Sequence, residues 1–140
     1  MFKKVKQLHK DSNLSNSATY LTLLEARIHR ANGDLRRAEP AFLEAREGFM
    51  GPGLDIYIAL TSLELALLYL DLAEPDRAFS MAMSSIDCIS RYSYHREAMT
   101  ALAALQEASR TSIINKAMLS RALRHVEMVR KDPTSALWAQ

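Results

Sequence analysis

Apolar residues recur three and four positions apart along most of this chain, and runs that alternate apolar with polar are short and few. That period belongs to the α-helix, so the pattern predicts helices and no sheet. Over residues 17 to 31 it places Tyr20, Leu23, Leu24, Ile28 and Ala31 on one stripe. The next segment repeats it with Leu35, Ala38, Phe42, Ala45 and Phe49, and Gly51-Pro52-Gly53 ends it. Pro40 falls inside this second helix, where its missing N–H costs ~3 kcal/mol, so the helix is either kinked or begins near Glu39.

A third helix, from about Asp55 to Leu72, is apolar nearly all round: Leu60, Leu63, Leu65, Leu67, Leu68 and Leu70 leave almost no face for water. A helix of that kind has to be surrounded by others. Glu74-Pro75 opens a fourth, which runs through Phe79, Ala82, Met83, Ile86 and Ile89 to about Ser90, with proline in the first turn where no N–H is needed. A fifth spans about Tyr94 to Ser109 on Ala98, Ala101, Leu102 and Leu105, with Ser93 as its cap. After Thr111-Ser112 a sixth presents Met118, Leu119, Leu123, Val126 and Val129, and Asp132-Pro133 stops it. The expected fold is therefore all-α, with about six helices in three antiparallel pairs over residues 17 to 133. A basic lead (1 to 16), in which Phe2, Val5 and Leu8 are spaced for a partial helix or cap, and a tail (134 to 140) carrying Trp138 flank it.

One corner is written twice. Gly33-Asp34-Leu35-Arg36-Arg37-Ala38 aligns with Ala73-Glu74-Pro75-Asp76-Arg77-Ala78 at an offset of 40 residues, and Ala26 matches Ala66 at the same offset. Small residues recurring where helices cross let them approach closely, which is a repeat signature. Leu65-Ala66 with Tyr69 in a first helix, a short corner, and Ala78 opening the second helix resemble the tetratricopeptide repeat (TPR) family. The first pair carries the pattern in Ala26, Gly33, Asp34, Leu35, Ala38, Phe42 and Ala45, with His29 replacing the expected aromatic, and the third pair fits by hairpin shape. The run from residue 18 to residue 110 also resembles the C-terminal TPR-like region of many uncharacterised bacterial proteins.

The 140 residues fit one domain with a workable core. Cys88 is the lone cysteine, without a CxxC or a nearby histidine, which argues against a disulfide scaffold or a zinc module and suits a thiol in or beside a core in a reducing cytoplasm. The lead has no apolar run after its lysines and is neither a signal peptide nor a membrane anchor, and the greasiest stretch is broken by Thr61, Ser62, Glu64 and Asp71. Net charge is +2, distributed as +4 over residues 1 to 31, −5 over 32 to 91 and +3 over 92 to 140. Basic ends around an acidic middle favour protein partners or self-association over nucleic acid.

Catalytic constellations are missing from the pattern. His9, His29, His95 and His125 are widely spaced without HExxH, and they read as surface or corner residues. No GxGxxG, GxxxxGK[ST] or GxSxG is present, and Glu44 and Glu47 read as a solvated pair. Arg121, Arg124, Arg130 and Lys131 of the last helix fall on more than one face and are interrupted by Glu127, which disfavours a DNA-reading helix. Met81, Met83, Met99, Met118 and Met128 read as core filler at helical spacing.

The TPR resemblance implies a short α-solenoid whose first helices line a concave groove for a peptide or a partner's helix. On that alignment the groove offers Tyr20, Leu23, Arg27 and Arg30, then Leu60, Leu63, Leu67 and Leu70, then Glu97, Thr100 and Glu107. The same leucines also suit burial against neighbouring helices. The expected function is a non-catalytic, cytoplasmic protein-interaction scaffold without cofactor or metal. Two alternatives stand beside it: a ligand-sensing or regulatory module of a bacterial signalling or transcription system, and a homodimer through the first helix pair.

Overall fold

The computed structural model describes residues 13–132, with side chains from residue 16 onward. The expected cap at Phe2, Val5 and Leu8, His9, the stop at Pro133 and the tail with Trp138 lie outside the described residues. The described chain is α1 (Asn13–Ala31), α2 (Leu35–Gly48), α3 (Asp55–Asp71), α4 (Pro75–Ser84), α5 (Ile86–Ser90), α6 (Arg96–Thr111) and α7 (Lys116–Lys131), and it contains no strand. The six helices of the pattern are all there, the fourth divided into α4 and α5 at Ser85. Buried Ser85 turns its hydroxyl back to donate to the Ala82 carbonyl at 2.6 Å, which competes with the helical ladder. None of the described helices is long and apolar enough to cross a membrane.

The corner that the sequence writes twice is also built twice. The N–H groups of Asn32, Gly33 and Asp34 donate to the carbonyls of Ile28, Arg30 and His29. Those of Leu72, Ala73 and Glu74 donate to Leu68, Leu70 and Tyr69, so each bond recurs 40 residues on (72 − 32, 68 − 28 and so forth). Both corners satisfy the last carbonyls of a helix through one left-handed residue. Gly33 sits there at φ 80°, whereas Ala73 takes the same turn at φ 59° with a Cβ to accommodate. α1 and α2 pack as one hairpin, α3 and α4 as a second, α6 and α7 as a third, with α2 lying against α3. At the α1–α2 crossing the backbones come so close that a Cβ on Gly48 would lie 2.7 Å from Cγ2 of Thr19.

α3 is the centre of the molecule. Every residue from Ile58 to Tyr69 is buried, and α2, α4, α5 and α7 pack around it. Tyr20 of α1 meets Tyr57 at the start of α3 and Arg30 meets Asp71 at its end, so α1 and α3 run parallel. Lys116 at the start of α7 reaches Asp71, and Arg130 near its end bonds the Tyr57 hydroxyl, so α7 lies antiparallel along α3. Leu119, Ala122, Val126 and Val129 are the fully buried side of α7. Beside α2 and α4, the Tyr69 hydroxyl donates to Glu39 at 2.9 Å and lies under Arg77; burial and that carboxylate push its pKa up to about 12.

Several local expectations change. α2 begins at Leu35 and continues through Pro40, not at Glu39; Pro40 and Arg36 are exposed, so water can serve the carbonyl that proline leaves without a donor. The cap of α6 is His95 rather than Ser93: its Nδ1 accepts the Glu97 N–H at 3.1 Å, and its Nε2 lies 2.9 Å from the Asp132 carbonyl at the end of α7. His95 is therefore a corner residue, but a buried structural one and not a surface one. Met99 and Met128 are about half exposed instead of filling the core.

The two corners generate a paired test. Ala73→Gly should stabilise the protein by about 0.5–1 kcal/mol by relieving the left-handed alanine, and Gly33→Ala should destabilise it by ~1 kcal/mol. Thermal unfolding of both variants reads the difference; equal shifts of one sign would show that the corners are not equivalent.

Candidate functional site

Where α1, α3 and α7 meet, charged side chains are drawn into the interior. Glu64 is the one acid in the apolar middle of α3 and is buried. Arg27 of α1 donates to its two oxygens at 2.7 and 2.9 Å, a two-pronged pair that satisfies both. Burial pushes the Glu64 carboxyl up, with Arg27 pulling it back and Glu127 of α7 adding to the rise. Burial alone would depress the Arg27 guanidinium, but the Glu64 carboxylate more than reverses it. Glu127 lies 3.8 Å from Arg27 and pairs closely with Arg130, so two arginines and two glutamates form one chain across the three helices. At the far end Asp71 takes Arg30 at 2.9 Å and Lys116 at 2.6 Å.

At the other end of this seam a pocket of about 450 Å³ opens to the surface. Its walls include Tyr20 and Leu21 from α1, Phe49 and Leu54 from the α2–α3 connection, Tyr57 from α3 and Arg130 from α7. Tyr57 stacks on Phe49 at 5.0 Å between ring centres and meets Tyr20 edge-on at 6.1 Å. The Arg130 guanidinium lies 5.6 Å from the centre of the Tyr20 ring, within cation–π range. The result is an aromatic cup with one cation on its wall. It suits an apolar or aromatic group that carries or adjoins a negative charge. Among the described residues no group of three His, Cys, Asp or Glu is placed to hold a metal ion.

The residues expected to line a groove are divided by the structure. Leu23, Leu60, Leu63 and Leu67 are buried in the core, and Leu70 packs against it, so these leucines serve the helices of the chain itself. α7 occupies the side of α3 where an open groove was expected, because an all-apolar helix leaves no side to spare. Arg27 and Arg30 are consumed in the seam, and Tyr20 alone of the first two sets lines the cup. Glu97 pairs with His125 at 2.6 Å, while Thr100 and Glu107 line a separate shallow depression of about 500 Å³ between α6 and α7 with Met118 and Arg121. Leu54, Tyr57 and Arg130 escaped the sequence reading as site residues. Each is one residue of a different segment, and no spacing within a single helix marks them.

No protein-family model matches the chain, and no curated protein or solved structure matches it either. The class that can be stated is that of the fold: an all-helical protein with six helices among its described residues, one of them interrupted, and with an aromatic, arginine-walled cup at one end of its central seam.

Two outcomes follow from the seam. Arg27→Leu or Glu64→Leu alone strands a buried charge and should destabilise the fold by about 3 kcal/mol, whereas the double replacement should cost clearly less than the sum; denaturant unfolding of the cycle measures this. Asp71 makes one end of the seam sensitive to acid. Burial pushes its carboxyl up, but Lys116 and Arg30 hold it below the ordinary carboxylate range. A depressed native pKa gives stability that is present above the unfolded value of about 3.9 and is lost as pH falls through the native one. Asp71→Asn should therefore flatten the acid side of the stability profile below about pH 4.

Proposed function

We propose that the chain is a non-catalytic, TPR-like protein-interaction module that engages its partner at the aromatic cup and not along the face of α3. The TPR-like part of this reading is supported by the corner whose hydrogen bonds recur 40 residues apart, by Ala26 and Ala66 buried at matching positions, and by Tyr69 packed between neighbouring hairpins. The observation that carries the binding part is the cup itself. It sets the part-exposed rings of Tyr20 and Tyr57 and a guanidinium over the buried Phe49 ring, and half-exposed Leu21 stands on its rim. Aromatic side chains and arginine supply most of the energy in protein interfaces, where they present large rigid surfaces and directed charge. A ligand-sensing module would need a closed polar pocket, which differs in kind from this open aromatic one.

Selection of a random displayed-peptide library against the full chain tests the reading. Enriched peptides should lose binding by about tenfold or more to Leu21→Glu, a surface change that leaves helicity intact by circular dichroism. A library without enrichment, or peptides indifferent to Leu21→Glu, would overturn it.

A further inference from the structure

We propose that the outer surface where α1 and α7 lie side by side acts as a channel for a helical partner segment that carries an apolar side flanked by carboxylates; this deepens the interaction-module reading and rests on it. One wall of the channel is apolar. Leu21 and Ile28 are 50% and 59% exposed with partly buried Leu24 between them, at the i, i+3, i+7 spacing of a single α1 stripe. The opposite wall is basic. Arg124 and Lys131 stand on the solvent side of α7, exposed, and among the described residues no carboxylate is paired with either. The charges of α7 thus divide by face: Lys116 and Arg130 reach across to Asp71 and Glu127, while Arg121, Arg124 and Lys131 are left to the solvent.

Fixed points set the register of the two walls. Arg130 lies at Tyr20, and Lys116 and Arg30 share Asp71, so α1 and α7 run antiparallel along the channel. On those fixed points Lys131 falls at the Tyr20–Leu21 end of α1, and Arg124 falls about level with Leu24. The aromatic cup, with Leu21 in its wall, closes the Lys131 end of the channel. A helix laid there would set its apolar stripe on Leu21, Leu24 and Ile28, place a large apolar or aromatic residue in the cup, and carry acids toward Arg124 and Lys131. Charge complementarity chooses the sign of the partner, and the aliphatic wall chooses a protein. Phosphates gain nothing from two half-exposed aliphatic side chains, and a pair of free cations gives a weak counterion-release term beside the six to ten contacts of typical duplex binders.

Fluorescence anisotropy of the full chain with two synthetic amphipathic helical peptides tests this. Both peptides share one Leu/Phe face; one is flanked by Glu and the other by Lys. The Glu-flanked peptide should bind about tenfold tighter at low salt, with the margin shrinking as salt rises, and Arg124→Glu with Lys131→Glu should invert the order. Equal affinities, or a preference unchanged in the double variant, would overturn the acidic-partner inference and leave the interaction-module reading standing wherever Leu21→Glu still abolishes library-peptide binding. A duplex oligonucleotide that binds more tightly than the Glu-flanked peptide would overturn it in favour of nucleic acid. Self-association that Leu21→Glu removes, seen by light scattering, would assign the channel to a second copy and overturn it as well.

Discussion

A central helix without a solvent side is the constraint on which the rest of this structure depends. Each fully buried leucine of α3 contributes about 1.5–3 kcal/mol only if something covers it, and two neighbouring helices leave part of a cylinder bare. The hairpin partner α4 and the preceding α2 cover two sides, α5 covers part of a third, and α7 completes the enclosure. The burial of Ile58 through Tyr69 without a break is the outcome. It also explains why the one acid in that run needs a partner from another helix: Glu64 enters the interior with Arg27 or it does not enter ionised.

Enclosure moves the proposed binding surface. In an array whose first helices face an open concavity, α3 would supply the floor; here α7 lies along that floor, and its buried valines take the contacts a partner would make. What remains for an outside molecule is the margin between α7 and α1, where packing is completed by charge pairs instead of apolar contacts.

The sequence announced helices with little ambiguity because their period persists through every segment, and the 40-residue corner was readable since Gly33-Asp34 and Ala73-Glu74 hold the same places relative to flanking alanines. The need for α3 to be surrounded was equally plain. Which helix would complete the enclosure was not, because amphipathic α6 and α7 each present one apolar side and nothing local says which side meets α3. The cap on α6 was misplaced for a related reason: His95 caps through a ring nitrogen and is held by the Asp132 carbonyl, 37 residues away by count (132 − 95). The cup was invisible because it joins Tyr20, Tyr57 and Arg130 only after α7 has folded back. The charges of α7 looked scattered in sequence, and their division into a paired inner set and an outer set without a carboxylate partner among the described residues follows from that same return.

Arg130 ties the two halves of this picture together, since it belongs both to the wall of the cup and to the seam. Glu127 and Glu64 repel one another across a poorly solvated space, and Arg27 between them and Arg130 beyond them keep the set of four electrically neutral. A carboxylate brought into the cup would compete with Glu127 for the Arg130 guanidinium, and a Glu127 left without Arg130 would lean on Arg27, the only other cation paired with it among the described residues. Arg27 in turn is the partner that allows Glu64 to remain ionised inside α3. On the proposed reading, an acidic group in the cup would reach the central helix through two charge pairs, Arg130–Glu127 and Arg27–Glu64.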